Sequence, residues 1–239
     1  MENILITVCG RGGSKGIPGK NIKTVGGRPL ISYTAQQALK LAEHLGADIV
    51  LSTDSDEIRR IGGEFGLPTE YVRPAELAND TCGKPDAIAD AMFWAEKRYG
   101  KRYDYVIDLD VTAPIRTMAD VDGCLEMIRR QPDALTVFSV NPAQRSPYFS
   151  MVSQKENGWF SEVIPAKFTT RQSCPKCYDM NGSIYVYSRQ SLAEPEHPRA
   201  VTERSLAYVM DHVCFDLDEP QDFDYLTFMI ETGRVNTEW

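Results

Sequence analysis

The residues best placed to do chemistry sit in one glycine-rich run, Cys9-Gly10-Arg11-Gly12-Gly13-Ser14-Lys15-Gly16-Ile17-Pro18-Gly19-Lys20-Asn21, directly after a short apolar segment. Glycines let backbone N–H groups turn towards phosphate oxygens, and Arg11, Lys15 and Lys20 add three cations to that cradle. The spacing is neither G-x-x-x-x-G-K-[ST] nor G-x-G-x-x-G, because Lys15 stands where the third glycine of a dinucleotide loop would be. That argues against a dehydrogenase and for a triphosphate, whose charge calls for side-chain cations as well as amides.

A second candidate is Asp108-Leu109-Asp110, which ends an apolar run and is therefore expected at the carboxyl edge of a sheet, where open α/β folds bind ligands. Cys174-Pro-Lys-Cys177 supplies only half a zinc site, and Pro-Lys between the cysteines is unlike a redox motif, so a structural role is expected. His44, His197 and His212 lie outside these motifs and are read as packing or surface residues.

Positioning these groups requires alternating strands and helices. Ile4 to Val8 reads as a buried strand, and Leu30, Thr34, Ala38, Leu41 and Leu45 mark one face of a helix. Ile49-Val50-Leu51-Ser52 follows as a strand, then a helix opened by Asp54 with Glu57 completing a capping box. Tyr71-Val72 is a short strand, Ile88 to Ala95 a helix, Tyr105-Val106-Ile107 a strand and Val121 to Ile128 a helix. Leu135 to Val140, Ser183 to Tyr187 and Val213-Cys214-Phe215 are further strands, and Phe223, Leu226 and Ile230 line a last helix. The pattern predicts one α/β domain over 1–239, a mostly parallel sheet with helices on both faces. Residues from about 141 to 176 carry Pro142, Pro147, Pro165 and Pro175 and read as an inserted β-rich lobe. Its Tyr148, Phe149, Trp159 and Phe160 would suit a subunit interface.

The 239 residues carry 26 Lys+Arg against 34 Asp+Glu, a net charge of −8, which excludes a general nucleic-acid binder. No apolar run reaches the length of a membrane span, and Met1 to Val8 has no basic segment of the kind that opens a signal peptide. A cytoplasmic protein is the expectation, and six scattered cysteines in a chain of this size fit a reducing compartment.

The loop R-G-G-S-K-G-x-P-x-K-N resembles the signature of the cytidylyltransferases that activate nine-carbon sialic-acid-like sugars as CMP-sugars. Ser52-Thr53-Asp54-Ser55-Asp56, the run Arg73 to Thr81, Thr112-Ala113-Pro114-Ile115-Arg116, Asn181-Gly182-Ser183-Ile184-Tyr185 and Asp216-Leu217-Asp218 extend the resemblance along the chain in the expected order. Phe168 to Ser173 and Pro175 to Asn181 are most similar to the bacterial branch that makes CMP-legionaminic acid. The resemblance implies the Rossmann-like fold of nucleotide-diphospho-sugar transferases and a homodimer. It also implies that Arg11, Gly12, Gly13, Ser14, Lys15 and Lys20 hold the triphosphate of CTP, and that Asn21, Arg73 and the Cys82 region read ribose and base. Asp216 and Asp218 would be Mg²⁺ ligands, with Asp110 facing the sugar or joining the metal. Arg171 would pair the sugar carboxylate, with Arg116, Asn181 and Tyr185 bordering that pocket.

The chain departs from the family pattern in three places. Lys84 stands where a small hydroxyl-bearing residue is common, Asp110 stands where Gln is common, and Ser146-Pro147-Tyr148-Phe149 lacks the cation some relatives place there, Arg145 being nearest. The implied reaction is attack of the anomeric 2-hydroxyl of a nine-carbon 2-keto sugar acid on the α-phosphate of CTP, releasing pyrophosphate. KDN, N-acetylneuraminate, pseudaminate and KDO remain alternative acceptors, and a non-catalytic nucleotide-binding protein is the alternative of a different class.

Overall fold

The computed structural model describes residues 2–13, 16–168, 170–193, 198–237 and 239. In chain order it contains β1 (Ile4–Cys9), β2 (Thr24–Val25), β3 (Arg28–Pro29), α1 (Leu30–Leu45), β4 (Asp48–Ser52), α2 (Asp56–Glu64), α3 (Lys84–Tyr99), β5 (Tyr105–Leu109), α4 (Met118–Arg130) and β6 (Thr136–Pro142). After these come β7 (Val152–Gln154), β8 (Phe160–Glu162), β9 (Tyr178–Ser188), α5 (Arg189–Leu192), β10 (Ser205–Val209) and α6 (Pro220–Glu231).

Six strands form the central sheet in the order β10-β6-β9-β5-β1-β4. All neighbours are parallel except β9, which runs antiparallel to both β5 and β6. Side chains of β1 alternate between two cores, as a strand of period two must. Ile4, Ile6 and Val8 pack with α1, α4 and α6 through Leu30, Leu41, Val121, Leu125 and Phe223, while Leu5 packs with Ile88, Ala91 and Met92 of α3. Every residue of β1 is buried, so its carboxyl end opens into a walled recess rather than onto solvent.

Several boundaries differ from the expectation. Ser55, not Asp54, caps α2 by accepting the Ile58 N–H, which leaves the Asp54 carboxylate available elsewhere. Tyr71-Val72 and Val213-Cys214-Phe215 join no ladder. Tyr71 is instead buried with its hydroxyl on Asp90, and the last strand is β10, paired parallel to β6 at the sheet edge. Helix α3 starts at Lys84, a turn before its apolar stripe. Between β6 and β9 the chain leaves the sheet and forms the small antiparallel hairpin β7–β8.

His212, outside the site described below, sets a pH dependence of folding. Its Nε2 lies 2.8 Å from Asp120 Oδ2, and Asp120 also closes the capping box of α4 with Thr117. Burial disfavours both charges, but the Asp120 carboxylate and the Val213 carbonyl lift the imidazole above its ordinary value, while Thr117 and His212 hold Asp120 below the usual carboxylate range. The histidine's contribution is therefore full below its unfolded pKa of about 6.5 and lost as pH rises through the raised native value. The aspartate's is full above about 3.9 and lost as pH falls through the lowered one. His212→Ala is expected to lower the melting temperature by roughly 2–4 °C near pH 5, about 1 kcal/mol, with the gap closing at alkaline pH. Parallel thermal melts across pH measure it, and a gap independent of pH would exclude the ion pair as its source.

Candidate active site

The site lies at the carboxyl ends of β1, β4 and β5. Gly10 N–H donates to Ser52 O at 3.0 Å, extending the β1–β4 ladder one step into the loop. Gly12 N–H then donates to Asp54 Oδ1 at 2.8 Å, and Asn21 Nδ2 donates to the Arg11 carbonyl at 2.9 Å, so the loop is gripped from both sides. A Cβ at Gly12 would meet the Ser55 Cβ at 3.0 Å, so this close approach favours glycine there. Gly19 adopts φ 66°, a left-handed turn that leads into the short 3₁₀ helix Lys20–Ile22. Ser14 and Lys15, both expected to hold phosphate, lie outside the described residues.

A cavity of about 310 Å³ opens beside this loop. Arg11, Lys20, Asn21, Arg73, Cys82 and Asp110 line it, with Lys84 and Thr112 as further walls. Six of the residues singled out from sequence therefore converge on one recess. Arg11 ion-pairs with Asp80 at 2.8 Å and donates to the Asn79 carbonyl at 3.1 Å, tying the glycine-rich loop to the loop before α3. That second loop is itself an Asx turn, in which Asn79 Oδ1 accepts the N–H groups of Thr81 and Cys82. Arg73 is buried and spends Nε and Nη2 on the Ser52 hydroxyl and carbonyl.

Lys20 joins the loop to the acidic pair. Its Nζ is 3.0 Å from Asp218 Oδ1 and 3.7 Å from Asp216 Oδ1, and Gly16 packs against the Asp218 backbone. Burial raises the Asp216 carboxyl above its ordinary range, and the nearby charges of Asp110 and Asp218 push the same way. Asp216 Oδ1 is sealed from solvent without a hydrogen-bond partner. A hard carboxylate oxygen left unsatisfied beside a second, exposed carboxylate fits Mg²⁺, which binds through one or two protein carboxylates plus water and phosphate. Among the described residues no group of three or more His, Cys, Asp or Glu side chains is arranged to hold a metal ion, so water or phosphate oxygens would supply the remaining ligands.

Asp110, expected to face the sugar or to join the metal, is held by Lys84 and Thr112. Lys84 Nζ lies 2.5 Å from Asp110 Oδ2 and 2.6 Å from Asp108 Oδ2, while Thr112 N–H and hydroxyl fill Asp110 Oδ1. Burial alone would depress the lysine, but the two carboxylates outweigh it and hold its pKa well above the ordinary value. Burial likewise opposes ionisation of Asp110, yet Lys84 and Thr112 bring it below the usual range. The Cys9 thiol nearby is pushed up to about 12, by burial first and then by Asp108, which rules it out as a thiolate nucleophile at neutral pH.

Arg116, expected to border the sugar pocket, is placed inside the protein. It is fully buried and donates to Gln37, Ser183, Thr34 and the Asp110 carbonyl, so its guanidinium faces protein on all sides. Asn181 is also buried and bridges Ser139 to Asn141 at the point where the β6–β9 register shifts. Tyr185 stacks under Lys84, the ammonium 5.5 Å from its ring centre. Arg171 is exposed on the 3₁₀ turn Arg171–Ser173 and donates to the Ala143 carbonyl at 3.3 Å, outside the cavity wall. Sequence reasoning missed the grip of Asp54 on Gly12 and of Asp80 on Arg11. The loop motif offered only a weak signal for either, a carboxylate in each flanking turn.

A phosphate-type glycine loop, a cavity walled by cations and an acidic pair behind it, all at the carboxyl edge of a doubly covered sheet, define a nucleotidyltransferase-like site. The family model described as cytidylyltransferase matches residues 5–190, and the chain belongs to that family. It is 38% identical to a CMP-N,N'-diacetyllegionaminic acid synthase of Campylobacter jejuni over 99% of this chain and 98% of that protein. It is 37% identical to post-translational flagellin modification protein B of Campylobacter coli, covering 100% and 99% of the two. Among solved structures, a CMP:2-keto-3-deoxy-manno-octonic acid synthetase complexed with CTP superposes with a TM-score of 0.68 at 19% identity, covering 97% of this chain and 100% of that one, and shares the fold.

Proposed function

We propose that the protein transfers CMP from CTP to the anomeric 2-hydroxyl of a nine-carbon 2-keto sugar acid of the legionaminic type, releasing pyrophosphate. The observation that carries this reading is the position of Lys20, which belongs to the phosphate loop and yet reaches the carboxylates of Asp216 and Asp218. On this reading the triphosphate and its metal would meet at Lys20. The names of the relatives support the cytidine nucleotide and the sugar acid.

Catalysis is positioning plus charge neutralisation, with no covalent enzyme intermediate. Arg11 and Lys20, with Lys15 and Ser14, take the phosphate oxygens, and Gly12 and Gly13 keep backbone close to them. Asn21, Arg73 and the Cys82 loop face ribose and base. Asp216 and Asp218 would hold Mg²⁺, which supplies Lewis-acid neutralisation of phosphate charge. Arg171 binds the sugar carboxylate from the rim. The hairpin exposes Trp159 and Phe160 at 75% and 64%, and we assign that face to a second copy of the chain in a cytoplasmic homodimer. Among the described residues no helix is long and apolar enough to cross a membrane.

The test is incubation with CTP, Mg²⁺ and a panel of legionaminate, pseudaminate, N-acetylneuraminate, KDN and KDO, following pyrophosphate and identifying the product by mass. CMP-legionaminate as the preferred product, abolished by a chelator, is the expected result. CTP binding without pyrophosphate release on any acid would replace the enzyme with a nucleotide-binding protein.

A further inference from the structure

Asp108 and Asp110 present one oxygen each to a common point. Their inner oxygens are satisfied by threonines, since Thr7 Oγ1 donates to Asp108 Oδ1 at 2.8 Å and Thr112 donates twice to Asp110 Oδ1. Their outer oxygens converge on Lys84 Nζ at 2.6 and 2.5 Å. Asp108 is wholly buried, and Asp110 lines the cavity beside the phosphate loop. Two hard oxygens turned towards one point at the edge of a triphosphate site is an arrangement in which a divalent ion would be stable. Here a compact ammonium occupies it, anchored at the first residue of α3 and resting over the Tyr185 ring.

We infer that Lys84 is the resident cation of this cavity, filling the point between Asp108 and Asp110 that a divalent metal would otherwise take and confining protein-held metal to Asp216 and Asp218. A metal entering at Asp110 would have to expel the ammonium from two ion pairs, one of them to the wholly buried Asp108, and then lie against its charge. Lys84 is therefore a positioning residue. It acts through the carboxylates it holds, and it makes the chain a user of one protein-held metal despite its second pair of acids. The inference rests on the reading of Asp216 and Asp218 given above, but its test needs neither nucleotide nor sugar.

Mn²⁺ bound to the purified protein is counted from the loss of the free-ion electron paramagnetic resonance signal. Wild type is expected to bind one ion per chain and D216N/D218N none. Adding Lys84→Gln to that double variant should restore one ion, and Asp110→Asn on top should remove it again. Lys84→Gln is preferred to Lys84→Met because the amide still donates to a buried carboxylate, and both are checked by cooperative thermal melting. Retention of an ion by D216N/D218N that Asp110→Asn then removes overturns the inference, and this arm holds even where no Lys84 variant folds. Two ions on wild type, none on wild type, or no gain in a folded Lys84 variant also overturn it. The expected counts together with a silent sugar panel would refute the proposed substrate and leave the role of Lys84 standing.

Discussion

Lys20→Met is expected to lower kcat by about 10²–10³ with the fold intact, and at the same time to tighten Mn²⁺ binding in the absence of nucleotide. The two effects have opposite signs because Lys20 has two sets of partners. Without nucleotide its ammonium, only 15% exposed, neutralises Asp218 at 3.0 Å and Asp216 at 3.7 Å, and it competes there with any metal. On the proposed reading, a metal entering with the nucleotide would be held by the carboxylates, leaving the ammonium free for the phosphate charge that grows during transfer. Removing the side chain strips the competitor from the first state and a stabilising charge from the second. Lys20→Arg keeps the charge but spreads it over a planar fork, and should fall between the two. Steady-state kinetics and Mn²⁺ titration on the same preparations read both effects. Turnover within a few fold of wild type would remove Lys20 from the chemistry.

Arg116→Met should act in the opposite order, on the fold first. The guanidinium is fully buried and donates to Gln37 Oε1, the Ser183 carbonyl and hydroxyl, Thr34 Oγ1 and the Asp110 carbonyl. Burial pushes its pKa down to about 10, against the pull of the nearby Asp110 and Asp108 charges, so the guanidinium stays charged at neutral pH. Truncation leaves them unpaired around a cavity, at a loss of about 3–5 kcal/mol. That corresponds to a melting temperature lower by on the order of 10 °C. Two of the acceptors flank the site, so activity should fall with the fold. An unchanged melting temperature with a raised KM for the sugar acid would instead return Arg116 to substrate binding.

The contrast between these two side chains marks where sequence reasoning reached its end. Buried parallel strands such as Ile4–Cys9 and Asp48–Ser52 are unbroken apolar runs, and α1, α3, α4 and α6 carry clear apolar stripes, so the layered α/β fold was legible. β10 was not, because Ser205–Val209 is a half-exposed edge strand, whereas Val213-Cys214-Phe215 is apolar enough to imitate one. The cap of α2 was ambiguous between two neighbouring residues that both cap well. Only the distant Gly12 N–H, which claims Asp54, decided for Ser55. The cation loop was legible from its own spacing, whereas Asp216-x-Asp218 was singled out through the family resemblance. The partners of Arg116 and Lys84 lie up to 82 and 26 residues away, and nothing local separates a scaffold arginine from a binding one.

Arg11, Lys20, Arg73 and Lys84 line the cavity with Asp80 and Asp110, and Asp108, Asp216 and Asp218 pair with Lys84 and Lys20 from behind that lining, so most of these charges are already matched to one another. Filling it is therefore an exchange of partners rather than the capture of an anion by open positive charge. On the proposed reading a bare triphosphate would meet cations whose charge is largely spent on carboxylates, and a divalent ion travelling with it would release them. If the proposed function holds, the productive visitor would be the metal–nucleotide complex, whose arrival would free Lys20 from its carboxylates and supply them with a new counter-ion. Loading should accordingly follow an ordered, metal-coupled course, and raising ionic strength should slow it far less than in a site that relies on long-range attraction.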